Sequence, residues 1–281
     1  MTSIKLFRGE FGHVSLLSVA SDLVTHAHPD AHIIIWLEGD PGEMIVGETI
    51  VEPGPALAVG VNSYQPHSHR FAPDATPGLF LAFYIKPEWI ARRHGKRPLS
   101  ALFQSPAIPV FEQLRSMADD LYNQLMSTHD ALDLADYEIE RRTECLIDAV
   151  TAQSPARARP ASGSQFDFRI RKAIALMRAD VSGRLGLDEI ARSVGLSRPH
   201  FFALFKEQTK LTPNVYWNTL RMEEALKQVQ GAEESLTSVA CSLGFTTQGN
   251  FTRFFRDHAG VPPTLYREAA RAPSDDFQTL R

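Results

Sequence analysis

Cysteine is nearly missing from this chain: 281 residues contain only Cys145 and Cys241, and the two form no C-x-x-C pair. That excludes a disulfide framework and a cysteine metal centre, and it fits a reducing compartment. Long apolar runs are missing too. The longest, 33–37 and 79–85, fall far short of the roughly 18 residues a membrane span needs. Near the start, Lys5 and Arg8 are followed by Glu10, Gly12 and His13, which interrupt any apolar core of a secretion signal, so a cytoplasmic protein with no membrane partner is expected. No Ser-His-Asp arrangement, phosphate-cradling loop or dinucleotide fingerprint occurs, which leaves the enzyme classes built on them without support.

A charge excess of one sign is absent only on average. The formal net charge is −4, but residues 1–163 hold 13 Lys and Arg against 20 Asp and Glu, net −7, while 164–281 hold 16 against 13, net +3. An asymmetry of this kind suggests that one half alone meets a polyanion. The hydrophobic content of 43% is that of a globular protein, and the length favours two domains.

Segment 151–165, TAQSPARARPASGSQ, has no large apolar residue and reads as a linker. Before it, β-prone runs at 14–19, 32–37, 44–51, 57–61 and 79–85 alternate with Gly, Pro, Asp and Asn turns, the pattern of a small β-barrel or sandwich. Val110, Leu114, Met117, Leu121 and Leu125, then Leu146, Ala149 and Val150, recur at helical steps around a polar break at 127–133. This is an amphipathic helical hairpin, able to cover the barrel or to pair two copies of the chain.

The basic half contains an internal repeat. LDEIARSVGLSRPHFFALFKEQTKLTP at 187–213 lies over LTSVACSLGFTTQGNFTRFFRDHAGVPP at 236–263. Ala191 and Gly195 fall on Ala240 and Gly244 at an offset of 49; Phe201, Phe205, Lys206, Pro213 and Tyr216 fall on Phe251, Phe255, Arg256, Pro263 and Tyr266 at 50. Each copy has the layout of a helix-turn-helix. A small Ala permits close approach, a Gly supplies positive φ, and Ser197 or Thr246/Thr247 caps a second helix. Ile190, Val194, Leu196, Phe201, Leu204 and Phe205 would form the first small core. Residues 168–177 supply a leading helix, and 214–229 a connecting helix about 24 Å long. A spacer of that scale lets two recognition helices reach successive major grooves, roughly 34 Å apart.

From these residues the sequence resembles the AraC/XylS family of bacterial transcription regulators. The likeness covers 166 to about 271 and rests on IARSVGLSRPHF, LTPNVYWNTLRMEEA and VACSLGFTTQGNFTRFFRDHAGVPPTLYR. Two departures stand out: Lys210 where a Gly often precedes the x-T-P, and Gly186 where a Ser or Thr cap is usual. The first motif is therefore expected to start and end less firmly.

On the second recognition helix, Gln248, Asn250 and Arg253 match positions that face the groove in the family. Gln and Asn can pair with the N6/N7 edge of adenine and Arg with the O6/N7 edge of guanine. The first is odder, with Arg198 and His200 at its start but Pro199, Phe202 and Ala203 where polar readers often stand. Arg198 and Phe202 are taken as base contacts, His200 as a base, phosphate or packed residue, and Lys206 and Arg256 as phosphate contacts or merely solvated.

Six of the ten histidines lie in the first 69 residues. THAHPDAHIIIWLEGDPGEM, followed by a second pair at His67 and His69, resembles the cupin fold, a small double-stranded β-barrel that the AraC family commonly uses as its sensor. Strand alternation would put His26, His28 and His32 on one face, with His67 or His69 completing a site suited to Zn, Ni, Fe or Cu. Regulator cupins also keep such histidines for ligand binding or structure without metal, so both uses stay open, and Trp36 and Tyr64 are pocket or core aromatics.

These readings converge on an α+β two-domain protein. A cupin-like barrel with its helical hairpin (1–150) senses an effector and dimerises; after the linker (151–165), an all-α domain (166–272) carries two helix-turn-helix motifs, and 273–281 form a tail. The expected function is a non-enzymatic, sequence-specific transcription regulator. Its expected partners are promoter DNA, a small-molecule effector, a second copy of the chain and, for an activator, RNA polymerase. The alternative is a metal-dependent cupin dioxygenase or isomerase fused to a DNA-binding module; His32 standing where enzymatic cupins usually carry Glu or Gln disfavours it.

Overall fold

A computed structural model describes residues 4–94, 101–127, 133–153, 166–231 and 234–271. The N-terminal strands are β1 (Ile4–Gly9), β2 (Gly12–Val19), β3 (Leu23–His26), β4 (Ala31–Glu38), β5 (Glu43–Val46), β6 (Thr49–Val51), β7 (Leu57–Val61), β8 (His67–Arg70) and β9 (Gly78–Ile85). Helix α1 (Pro87–His94), strand β10 (Ala107–Pro109) and helices α2 (Glu112–Met126) and α3 (Asp133–Gln153) follow. All five β-prone runs are strands, the third divided into β5 and β6 at Gly47, whose φ is 62°. The four-residue β3 and the polar β8 are too short or too polar to carry a hydrophobic pattern that would announce them.

The strands do not close into a barrel. They form two antiparallel sheets, six-stranded in the order β1-β2-β9-β4-β7-β10 and four-stranded in the order β3-β8-β5-β6. Both faces of the larger sheet are covered, which explains why β4 and β9 read as almost continuous apolar runs. Val14, Leu16, Ile33, Ile35, Leu81, Phe83 and Ile85 pack against Leu114, Ala118 and Leu121 of α2 and Leu146, Ile147 and Val150 of α3. The hairpin is thus a cover for this sheet. Arg115 fastens it by donating to the carbonyl oxygens of Trp36 and Leu37, each at 2.8 Å. α3 runs on to Gln153, so residues 151–153 are helix rather than linker. The remainder of that linker and the expected tail at 273–281 lie outside the described residues.

The C-terminal part is helical: α4 (Phe168–Ala179), α5 (Leu187–Ser193), α6 (Arg198–Thr209), α7 (Pro213–Gln230), α8 (Leu236–Ser242), α9 (Gln248–Ala259) and α10 (Pro263–Arg271). Gly195 and Gly244 take φ of 72° and 80° in the turns between α5 and α6 and between α8 and α9. The repeated phenylalanines Phe201, Phe205, Phe251 and Phe255 are all 0% exposed. Leu204 is only partly buried.

Capping differs from expectation in the first copy. Ser197 occupies the N-cap of α6 without a side-chain bond, whereas Thr247 accepts from the Asn250 amide at 3.1 Å. Gly186 is no weak start, since its N–H donates to Glu189 Oε2 at 3.0 Å. Lys210 does end α6 under strain, with φ of 63° where the second copy has Gly260 at 75°.

The second face of the larger sheet meets the helical part. Leu17, Val19, Phe80 and Ala82 share one apolar cluster with Met222, Ala225, Val229, Phe251, Phe255 and Tyr266.

Candidate functional site

Two surfaces carry chemistry. The first is the outer side of α6 and α9. Because Phe251 and Phe255 point inward, the 3.6-residue period turns Asn250, Arg253 and Arg256 outward, and all three are exposed. Asn250 Nδ2 donates to Thr246 Oγ1 at 3.0 Å, and Gln248 Oε1 accepts from Thr237 at 2.8 Å. Arg253 makes no hydrogen bond or ion pair among the described residues, and Arg256 pairs with Asp257 at 3.3 Å. On α6, His200 and Lys206 are exposed, and Ala203 stands at the position equivalent to Arg253. Arg198 pairs with Asp188 and lies 4.9 Å over the Phe202 ring. With both partners of that pair more than half exposed, the ion pair is weak enough to open toward another anion.

The second surface is a cleft of about 460 Å³ where the sheets meet α7, α9 and α10. His13, His26, His28, Tyr84 and His258 line it, and a small adjoining cavity behind them is lined by His26, His32, His67 and His258; strand register places those of the sheets. In the larger sheet, Tyr84 stands opposite both His13 and His32, so cross-strand pairing makes a row of three rings with centroids 4.1 and 3.9 Å apart. In the smaller sheet, His26 pairs with His67 at 4.2 Å. His28, in the turn from β3 to β4, lies between the rows, 5.0 Å from His67 and hydrogen-bonded to His32.

The structure therefore brings together His26, His28, His32 and His67, but from two sheets and a turn rather than from one strand face. His26, His28 and His67 can offer ring nitrogens within 4.8 Å of one another, as a metal site requires. His69 lines the small cavity beside His67 but is not among the grouped nitrogens, since its Nε2 donates to the carbonyl of Pro41 at 2.8 Å. Trp36 and Tyr64 lie off the cleft. The indole of Trp36 donates to the carbonyl of Gly39 at 3.1 Å; the Tyr64 ring is exposed, and its main-chain N–H holds the turn by donating to the carbonyl of His28 at 2.8 Å. Three members were not expected. His13 and Tyr84 are single residues inside apolar strands, and His258 comes from α9, more than 180 residues downstream of His67.

Burial dominates the electrostatics here. It drives His13 and His67 down to about 3, with Arg8 and Lys86 adding to the effect at His13 and the neighbouring histidines at His67, and it holds His26, His28 and His32 well below the usual histidine value. These imidazoles are neutral near pH 7, the form that ligates metals and accepts hydrogen bonds. Around the rim stand Arg8, Lys86 and Lys227, opposed by Asp30 and Glu223, whose carboxyls burial shifts upward.

A helix-turn-helix domain family matches residues 190–269. Among curated proteins, the chain is 35% identical over 95 residues to an uncharacterized HTH-type transcriptional regulator, YobQ, of Bacillus subtilis, covering 34% of this chain and 39% of that protein. It is 33% identical over 87 residues to the probable transcription factor PqrA of Proteus vulgaris, covering 31% of this chain and 71% of PqrA. The matched stretch thus spans well under half the length of the first relatives and most of PqrA. Among solved structures, ToxT of Vibrio cholerae matches nearly end to end. Its apo form covers 94% of this chain and 99% of that chain with a TM-score of 0.54 at 12% identity. An unsaturated fatty acid-bound form covers 98% and 97% with a TM-score of 0.50, again at 12% identity. At that identity the likeness is one of fold. Among the described residues no helix is long and apolar enough to cross a membrane.

Proposed function

The chain belongs to the AraC family of helix-turn-helix transcription regulators, and from that premise we propose that it binds promoter DNA through two such motifs, α5–α6 and α8–α9, under the control of a ligand in the interdomain cleft. The observation that carries this reading is the outward row Asn250, Arg253 and Arg256 on α9, repeated in weaker form on α6, on a helical domain whose net charge is positive. The connecting helix α7, 18 residues and so about 27 Å long, sets the two recognition helices at a fixed separation. Arg253 and Asn250 read bases, Arg256 and Lys206 take phosphates, and Arg198 leaves Asp188 for the duplex. Because Ala203 replaces an Arg, the second motif carries more of the base discrimination.

A small effector in the cleft would touch the sheets and α7, α9 and α10 at once, and so bias how the helical domain sits. A bound fatty acid in ToxT, a protein of the same fold, is compatible with such control. The histidine set also fits a divalent first-row metal ion. His26 and His67 donate Nδ1–H to the carbonyls of Val24 and Gln65 at 2.7 and 2.9 Å, which leaves each Nε2 lone pair free. Such an ion serves sensing here rather than catalysis, in keeping with relatives named as regulators. A homodimer, giving two copies of the reading surface, supplies the affinity that a charge of only +3 does not.

Selection of binding sequences from a random duplex pool with the purified full chain tests the proposal. Enrichment of a two-part motif with half-sites about one helical turn apart is expected. Recovery of no motif, with equal retention of all duplexes, would overturn it.

A further inference from the structure

The histidine cluster is not confined to the sensor. His258, on the inner side of α9, lies 5.9 Å from His26 between ring centroids and is 8% exposed. Its Nδ1 donates to the carbonyl of Phe254 at 2.7 Å, and the same residue's ring lies 4.1 Å away, so the imidazole is held in one orientation. Its Nε2 is buried with no hydrogen-bond partner among the described residues. A buried acceptor left unpaired costs about 1–3 kcal/mol and calls for an explanation. His258 thus shares the arrangement of His26 and His67: Nδ1–H spent on a backbone carbonyl, Nε2 left with a free lone pair, and a place on the wall of the same cavity. Among the described residues the ring nitrogens within 4.8 Å of one another are those of His26, His28 and His67; His258 stands just outside that group, with its unpaired Nε2 on the wall of the same cavity.

We propose that a divalent first-row metal ion binds between the domains on His26, His28 and His67 of the sensor, and that α9 draws in on it so that His258 supplies a fourth nitrogen. This rests on the reading of the chain as a DNA-binding regulator and names the regulation of that same site. Four neutral imidazoles suit Zn, Ni or Cu rather than Mg or Ca, which need oxygen donors. The helix that supplies His258 inward presents Arg253 outward five residues earlier, so an ion gripping His258 fixes the base-reading side chain relative to the sheets.

The test uses the untagged full chain, stripped with chelator, titrated with Zn and Ni by calorimetry and with Co as an absorbance probe, with hydrogen exchange of α9 and β3 recorded with and without metal. The expected result is one ion per chain with metal-dependent protection of both elements. His258→Gln, and His258→Phe as a packing-preserving control, should weaken binding at least tenfold and abolish protection of α9 while the fold, checked by circular dichroism, persists. Unchanged affinity and protection in both variants would overturn the bridge while leaving a sensor-only metal site. A folded wild-type chain that binds none of the three ions at micromolar concentration would overturn the site altogether. DNA binding by the stripped protein, measured in parallel, judges the regulator reading separately.

Discussion

The main chain of Gly244 runs so close to Ser182 that a methyl group on the glycine would stand 2.0 Å from the serine carbonyl oxygen. Its counterpart in the other repeat, Gly195, would place the same methyl group in open space. Both glycines have positive φ, but only Gly244 also serves as a contact, the point where the turn of the second motif rests on the loop after α4. Arg221 holds that loop from the other side, donating to the carbonyl oxygens of Val181 and Ser182 at 3.1 Å each.

Substituting the two glycines by alanine should therefore separate the conformational cost from the contact cost. Gly195→Ala is expected to lose about 1–2 kcal/mol, the cost of a left-handed L-residue. Gly244→Ala adds the displacement of backbone and should lose about 2–5 kcal/mol in total. Urea unfolding of each variant measures the difference, and equal losses would show that the Ser182 contact is not a constraint.

Lys210→Gly should stabilise the chain. Lys210 ends α6 with φ of 63°, and its side chain makes only an exposed bond to the carbonyl of Glu207 at 2.9 Å. Relief of the left-handed conformation is worth roughly 1 kcal/mol, which outweighs the loss of that bond. A rise in thermal midpoint checks it; a fall would mean the lysine has another role.

Arg253→Ala and Arg256→Ala should weaken DNA binding in different ways. The first is expected to cost about 1–3 kcal/mol on the cognate site and relax preference at one position. The second should weaken cognate and random duplexes alike and lower the salt slope by about 1. Affinities on both duplexes over a salt series distinguish them, and uniform weakening by Arg253→Ala would reassign it to phosphate.

Stability in the presence of chelator should fall as the solution is acidified below about pH 6.5, the ordinary histidine value. His13 and His67 are held down to about 3 in the fold, so between these values the unfolded chain binds more protons than the native one. That stability is fully present above the unfolded value and is lost as pH falls toward 3, with a slope of up to about 1.4 kcal/mol per pH unit for each histidine. Urea midpoints at pH 7, 6 and 5 should decrease in order. Constant midpoints would show that these rings are not buried neutral in solution.

Much of this protein is determined by its sequence alone. Helical periodicity, the doubled Ala, Gly, Phe-x3-Phe pattern and the positive-φ glycines are local properties, so α4 to α9 and the outward face of α9 follow from spacing. The strand runs follow likewise wherever one stretch of chain is apolar enough to announce itself. Only tertiary structure decided the rest. Whether the strands close into a barrel depends on which edges pair, and here covering both faces of the larger sheet takes the place of closure. The histidine site depends on register between strands distant in the chain, which sets His13 and His32 on either side of Tyr84 and His26 against His67. His258 joins them only because α9 packs on β3, and packing across 190 residues leaves no periodic trace in the sequence between.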